Sequence, residues 1–228
     1  MANNSTAGYG CRQTMPVGNT PATGGQSEFT VQGGGSPGAT KAIFKGAPVA
    51  MQTAAGGAGV LGHIQDQTAA LMTDGIVGGN TWAHNTANTN GSLGVFNGAT
   101  FVDANGKPTW TNGLAAAQTS SVDYNTGSNN ITAFVNTNPH QEYTARADAA
   151  VGIASFNTLT NTGYNLNDAG AGVDGQSDCT LDIANTTGTA NYMWKLVRSA
   201  NVTNQNDLTA AGADIIISYN PQANAYLA

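Results

Sequence analysis

Two glycine-rich motifs resemble parts of enzyme active sites. Residues 57–62 read GAGVLG and match the dinucleotide-binding pattern, which functions only between a strand and the N-terminus of a helix. No strand-helix-strand pattern surrounds them. Residues 34–38 read GGSPG and match a nucleophile elbow, but the oxyanion hole needs the backbone N–H of the residue after Ser36, and Pro37 has none. We therefore predict neither a dinucleotide site nor a serine nucleophile.

The metal-binding patterns are incomplete as well. Residues 165–174 resemble a calcium loop, but Ala169 stands where an oxygen ligand is needed and Gln176 where a bidentate Glu is needed. We predict a turn-rich loop there and leave open an adventitious cation at Asp168, Asp174 or Asp178. The three histidines, His63, His84 and His140, are too far apart to form a zinc-binding pair on one element. The sequence therefore predicts no catalytic residue, no cofactor and no bound metal, and a protein that is not an enzyme.

Charged residues are scarce along the chain. Its 228 residues include 7 Lys and Arg against 13 Asp and Glu, or 9% charged, where an ordinary soluble domain has about 25%. A net charge of -6 provides no cationic surface for phosphate, so we expect no nucleic-acid partner. No apolar stretch approaches the roughly 20 residues of a membrane span, so we expect no membrane partner.

The first residues and the two cysteines bear on where the protein is made. Residues 1–5 have no basic character and no apolar segment follows them, so we predict synthesis in the cytoplasm without an export signal. In a reducing compartment Cys11 and Cys179 are expected to be separate thiols rather than a disulfide.

Short apolar runs predict the elements that would position any site. Runs with apolar alternation or continuous apolar residues occur at 41–46, 48–51, 93–96, 100–102, 131–135, 141–147, 179–183, 192–198 and 213–219. In residues 192–198 the alternation places Tyr192, Trp194 and Leu196 inward and turns Lys195 and Arg198 outward. The pairs Asn-Gly at 90–91, 97–98, 105–106 and 112–113 favour tight hairpin turns. The pattern predicts a mainly β fold: an antiparallel sandwich or barrel, the jelly roll included, of short strands with long Gly/Asn/Thr loops.

The N-terminal segment differs from the rest of the chain. Residues 1–38 have almost no apolar periodicity and end in a Gly-rich stretch, which predicts an extended, flexible N-terminal arm. Tyr9, Met15 and Phe29 are its scattered apolar residues and our candidates for a partner interface; a partly disordered tail is the alternative. Residues 39–228 are predicted to form the β-rich core, as one unit or as two sub-domains divided near 115–130.

Several segments, in this order, resemble structural proteins that accompany the major capsid protein in tailed bacteriophages. The segments are IFKGAPV at 43–49, LGVFNG at 93–98, FVDANGKP at 101–108, ITAFV at 131–135 before Pro139, YTARAD at 143–148, LVR at 196–198, QNDL at 205–208 and the run 213–219. The chain departs from the family at Ala47, where an acidic residue is usual, at 136–138, where paired acids precede the proline, and in the insert around 82–90. No contact residues are therefore transferred from the family.

The resemblance implies a decoration or cement protein of the virion. Such a protein is made in the cytoplasm of the host bacterium, binds the exterior of the assembled capsid through the major capsid protein, and stabilises contacts between capsomers. It implies self-association as well, with a homotrimer as our expectation. The alternative is a tail-fibre or appendage module that binds a host receptor or glycan through Trp82 or Trp110. A weaker third hypothesis is a secreted β-hydrolase.

Overall fold

The computed structural model describes residues 4–16, 25–32, 42–51, 64–66, 92–115, 130–152, 164–167, 172–183, 194–200 and 206–219. The regular elements of these residues are all strands. The described part of the chain therefore contains no helix that could cross a membrane. Within this part of the chain all strand pairs are antiparallel, and the parallel contacts are two isolated bridges. The prediction of a mainly β, antiparallel fold is confirmed.

A six-stranded sheet forms one part of the molecule. Its strands, in spatial order, are β2 (Gln26–Gln32), β9 (Asn130–Asn136), β6 (Ser92–Val102), β4 (Pro48–Met51) and β5 (Ile64–Asp66), and β7 (Pro108–Thr111) pairs with the second half of β6. The sheet curls into a half-barrel, so that its border strands β2 and β5 approach each other. The core against this sheet consists of Val31, Val49, Leu93, Phe96, Ala99, Ile131, Ala133 and Val135 of the sheet itself, together with Ile43 and Leu114 of a neighbouring strand pair.

A four-stranded sheet forms the second part. Its order is β1 (Arg12–Pro16), β10 (Gln141–Arg146), β16 (Asp214–Tyr219) and β15 (Trp194–Ser199). Five of the six residues of β16 are buried, as expected of a central strand covered on both faces. On β15, Trp194 and Leu196 are buried and Arg198 is exposed, which confirms the predicted alternation for these residues; Tyr192 lies outside the described residues.

Three short pairs complete the fold. They are β3 (Ile43–Phe44) with β8 (Gly113–Leu114), β11 (Asn165–Asn167) with β14 (Thr180–Asp182), and β12 (Gly172–Val173) with β13 (Gln176–Ser177). Lys45, just after β3, joins two of these pairs: its N–H donates to the carbonyls of Asn112 (2.8 Å) and Gly175 (3.1 Å), and its carbonyl accepts from Ser177 N (2.9 Å). These bonds fix the β12–β13 hairpin against β3.

The predicted Asn-Gly turns have different outcomes. Asn105-Gly106 lies in the loop between β6 and β7, where Asp103 Oδ1 accepts hydrogen bonds from the N–H groups of Asn105 and Lys107. The turn at Asn97-Gly98 was wrong: β6 runs through this dipeptide with a β-bulge, because Phe96 and Gly98 both continue the pairing with β9. Asn112 lies between β7 and β8 and Gly113 is the first residue of β8, whereas residues 90–91 lie outside the described residues.

The N-terminal segment, which the sequence predicts to be an extended, flexible arm, pairs with both sheets in its described parts. Its described parts form β1 and β2, and each is a border strand of one sheet: β1 pairs with β10 and β2 with β9. Cys11 and Val31 are buried in the two cores. The segment has little apolar periodicity because its order comes from backbone hydrogen bonds to neighbouring strands. The domain boundary at 38 and the division near 115–130 stay predictions; residues 33–41 and 116–129 lie outside the described residues.

The two cysteines are buried thiols, as predicted. Both belong to the core of the four-stranded sheet, although 168 positions separate them in the sequence. Gly46 lies between them: its carbonyl accepts from Cys11 N (2.8 Å) and faces the Cys179 Sγ (3.9 Å).

Candidate functional sites

Tyr9, the first predicted interface residue, is held inside the chain. Its ring is buried between two guanidinium groups, those of Arg12 (4.1 Å from Cζ to the ring centroid) and Arg146 (4.6 Å). Burial raises the pKa of the Tyr9 hydroxyl far above its ordinary range, and the carboxylate of Asp214 contributes to the shift. Asp214 also pairs with Arg146 at 2.9 Å. Tyr9 thus fixes the chain before β1 onto the four-stranded sheet.

The other two predicted interface residues lie elsewhere. Phe29, on β2, is partly buried and packs against the core of the six-stranded sheet. Met15 lies on β1, and its side chain is outside the described part of the structure. The three residues therefore do not form one surface patch by position, since β1 and β2 belong to different sheets. Their role in binding a partner stays a prediction.

The residues considered for metals and catalysis are separated from one another. His140 is exposed in the turn before β10. Asp174 is exposed in the β12–β13 hairpin and has a φ of 52°, and with Gly175 (φ 79°) it forms a two-residue turn of type I′ character, as expected of a turn-rich loop. Across the described residues no three His, Cys, Asp or Glu side chains converge. Residues 34–38, 57–62, His63, His84 and Asp168 lie outside that part of the chain.

Trp110 is the most exposed aromatic residue that the structure describes, with 51% of its surface accessible. It lies on β7, and three contacts hold its indole ring. The ring packs on Phe134 of β9 at a centroid distance of 5.2 Å, covers Gly98 of the β6 bulge, and donates from Nε1 to Asn112 Oδ1 at 3.4 Å. The indole is therefore fixed in position while half of it faces solvent.

A groove of about 670 Å³ lies next to Trp110. The residues that line it include Trp110, Thr111 and Asn112 from the end of β7, Phe44 from β3, and Asp174 and Gly175 from the hairpin turn. Thr111 Oγ1 is used within the chain, because it donates to the carbonyl of Gly113 at 2.6 Å. The groove thus combines two aromatic rings with an amide and a carboxylate, on elements joined by the backbone bonds of Lys45.

One ion pair with a buried carboxylate crosses the four-stranded sheet. Arg198 on β15 contacts Glu142 on β10 at 2.7 Å, spanning β16 between them. The Glu142 side chain is 7% exposed and that of Arg198 is 56% exposed. The hydrogen bond to Glu142 raises the pKa of Arg198. The pair provides a partner for a buried carboxylate, so we assign it a structural role.

Comparison of the chain with protein-family models, with curated proteins and with solved structures gave no match. The resemblance of residues 40–225 to phage head proteins therefore stays a prediction from its motifs.

Proposed function

We propose that this protein is a virion structural protein of a tailed bacteriophage, which binds the exterior of the assembled head and links capsomers of the major capsid protein. The observation that carries the proposal is the placement of the N-terminal segment, which forms a border strand in each sheet. Border strands bind partners by strand addition, in which main-chain hydrogen bonds provide the affinity.

Strand β1 is the border that we expect the capsid to contact. In the curled six-stranded sheet, border strand β2 approaches the opposite border strand β5. In the four-stranded sheet, β1 is a border strand that pairs on one side only, with β10. The side chains of Arg12 and Gln13 on β1 are exposed. Many copies on a symmetric lattice would add avidity to a contact that is weak for each copy.

Cryo-electron microscopy of purified virions tests this proposal. We expect density for a small β-rich protein in many copies on the outer surface of the head, grouped as trimers at local symmetry axes. Particles produced without this chain are the control and should lack that density. Absence of the chain from the shell, or its presence in a few copies at the tail tip, would contradict the proposal.

The groove at Trp110 favours a second candidate function, glycan binding by a tail-fibre or appendage module. The C–H face of a sugar packs on an indole ring, and sugar hydroxyls bind amide and carboxylate side chains such as Asn112 and Asp174. A volume of about 670 Å³ also lies within the common range of ligand sites, about 300–1,000 Å³.

A glycan array followed by titration of the intrinsic tryptophan fluorescence tests the second candidate. We expect Trp110→Ala to weaken binding of any oligosaccharide hit at least tenfold and Trp110→Phe to weaken it less, because a flat apolar ring remains. Val173→Ala is the matched control. Val173 is an exposed apolar residue of the β12–β13 hairpin, next to Asp174, and is not among the described residues that line the groove. No hit on the array, or equal effects of Trp110→Ala and Val173→Ala, would exclude this groove as a glycan site.

A further inference from the structure

A second cavity, of about 370 Å³, lies between the two sheets. The four-stranded sheet contributes Arg12 and Gln13 of β1 and Tyr143 of β10 to its lining. The six-stranded sheet contributes Asn136 at the end of β9, and Lys45 lies in the segment between β3 and β4. The glycan groove at Trp110 shares none of these residues.

The cavity has an excess of positive charge. Two of the chain's seven basic residues, Arg12 and Lys45, line it, although the whole chain has a net charge of -6. Among the described residues that line it, none is Asp or Glu. The ion pairs found in the described residues use Arg146 and Arg198, so neither Arg12 nor Lys45 has a carboxylate partner in that part of the chain.

Asn136 places an unused hydrogen-bond donor at the same cavity. Asn136 is 2% exposed, and its Oδ1 accepts from the N–H of Asn138 at 3.1 Å. Its Nδ2 is buried and has no hydrogen-bond partner among the residues that the structure describes. A buried amide donor is nearly always paired in folded proteins, because desolvation without a partner is unfavourable. This donor is therefore available to an acceptor inside the cavity.

The neighbouring polar groups are compatible with a negatively charged occupant. Burial raises the pKa of Tyr143 well above its ordinary value, so its hydroxyl stays protonated and does not repel an anion. The side chains of Gln13 and Gln176 are uncharged amides. The described part of the lining therefore offers two full positive charges and several N–H or O–H donors, and no negative charge.

We propose that this cavity binds a small oxyanion, a phosphate or a carboxylate group, between the Arg12 guanidinium, the Lys45 ammonium and Asn136 Nδ2. A guanidinium donates two parallel hydrogen bonds to such a group, and an ammonium adds a point charge. The occupant would connect β1 to the six-stranded sheet and neutralise two cations that have no carboxylate partner in the described residues, while Arg12 keeps its contact with the Tyr9 ring. The proposal does not depend on the role of the protein in the virion.

Thermal unfolding and isothermal titration calorimetry of the full chain test the proposal, with inorganic phosphate as the first probe and acetate as the second. Sodium chloride at equal ionic strength is the control for general screening. We expect a saturable rise of the melting temperature with phosphate, with acetate or with both, because a ligand that binds only the folded state stabilises it. The stronger probe identifies the oxyanion class. Identical curves in phosphate, acetate and chloride, with no heat of binding, would overturn the proposal.

Two variants localise the effect. Lys45→Met removes one cation and keeps an apolar stem, and we expect it to weaken binding of the stronger probe at least tenfold. Asn136→Asp keeps an acceptor for the Asn138 N–H and puts a negative charge in the cavity, so binding should be lost. Lys107→Met is the matched control: it removes the same charge from the exposed loop after β6 and should leave binding unchanged. If Lys107→Met weakens binding as much as Lys45→Met, binding depends on the net charge of the protein, and the proposed cavity is not the anion site.

Discussion

Gly98 occupies a point in β6 where two constraints meet. Its φ is 130°, a region that other residues rarely adopt, and a Cβ at this position would come within 2.4 Å of the Trp110 ring. The bulge therefore provides both the backbone conformation and the space that let the indole lie across the strand. The exposed tryptophan depends on this glycine for its position.

Replacement of Gly98 by alanine is expected to destabilise the fold and displace Trp110. Gly106→Ala is the matched control, because Gly106 also has a positive φ (78°) but a Cβ there meets nothing within 4 Å. Gly106→Ala should lower the free energy of unfolding by about 1–2 kcal/mol, from backbone strain alone. Gly98→Ala should lower it by about 1–3 kcal/mol more, from the clash with the indole. Denaturant unfolding measures both. Equal losses would show that Trp110 moves aside without cost.

Asp148 is a residue whose charge opposes folding. Burial is the main cause that raises its pKa above the ordinary value of 3.8, and the nearby Asp182 adds to the shift, although Asp148 Oδ1 accepts from the N–H of Ile183 at 2.9 Å. Because the pKa is raised in the folded state, the protonated carboxyl stabilises the fold at pH values below the ordinary value. That contribution is lost as the pH rises through the folded-state pKa.

We therefore expect Asp148→Asn to be more stable than the natural protein at neutral pH. The amide oxygen keeps the bond to Ile183, and the desolvated charge is removed. The gain should shrink as the pH falls through the folded-state pKa of Asp148, which lies above the ordinary value, and should be gone below the ordinary value of 3.8, where the carboxyl is protonated in both states. Melting temperatures across this range measure the difference. A variant that is less stable at neutral pH would show that the charged acceptor to Ile183 outweighs the desolvation.

At the scale of elements, β1 and the residues before it attach the N-terminus to the core by three kinds of contact. Strand β1 pairs with β10, and Tyr9 lies between Arg12 and Arg146. Asn4 binds the loop before β16. The Asn4 side chain donates from Nδ2 to the carbonyls of Asp207 and Ala211 and accepts from the Asp207 N–H. The N-terminal segment is thus an integral part of the four-stranded sheet.

Deletion of residues 1–16 is expected to lower the free energy of unfolding by about 3 kcal/mol or more, since it uncovers core side chains as well as removing a strand. Deletion of residues 1–3 is the control, because it leaves Asn4 and everything that follows. Circular dichroism during denaturant titration measures both. If the longer deletion unfolds at the same denaturant concentration as the full chain, β1 contributes little to the core and acts only as an arm.

At the scale of the whole molecule, the scarcity of charge bears on how the proposed capsid contact is made. Only 9% of residues are charged. Among the described basic residues, Arg146 and Arg198 form ion pairs within the chain, and Arg12 and Lys45 line a cavity. A contact built from border-strand hydrogen bonds and apolar side chains depends little on ionic strength, because screening acts on separated charges.

Capsid occupancy is therefore expected to stay nearly constant in sodium chloride from about 0.1 to about 1 M, while the screening length falls from about 10 to about 3 Å. Quantitative gel analysis of sedimented particles, with the major capsid protein as the internal standard, measures the occupancy. Release of most copies at the higher salt would indicate a contact built on ion pairs instead.

The sequence predicted the strands whose apolar pattern is visible locally. The alternation of residues 192–198 matches β15, and the apolar run 213–219 matches β16, because a buried side chain every second residue, or at every residue, is a local property. The pattern failed for β1 and β2, which are polar border strands stabilised by pairing with β10 and β9. It also failed at Asn97-Gly98, where the same dipeptide serves a turn or a bulge according to the strands beside it.

Among the candidate site residues, Trp110 was predicted and its partners were not. An indole in a polar stretch is visible in the sequence, but Phe134, Gly98 and Asp174 come to it from other parts of the chain. Arg12, Lys45 and Asn136 were not predicted as site residues, because they too come together from separate parts of the chain. The sequence shows that basic residues are scarce, but it does not show that two of the seven lie at one cavity.

By itself the sequence determined a β-rich chain of short strands, low charge and separate thiols, because composition, alternation and turn residues act over a few positions. Only the tertiary structure decided that the N-terminal segment closes both sheets, that Cys11 and Cys179 share a core, and that Arg12 and Lys45 face one cavity. These are contacts between residues far apart in the chain. Their register is set by hydrogen bonds between whole strands, as between Arg12 and Thr144, and no local pattern encodes it.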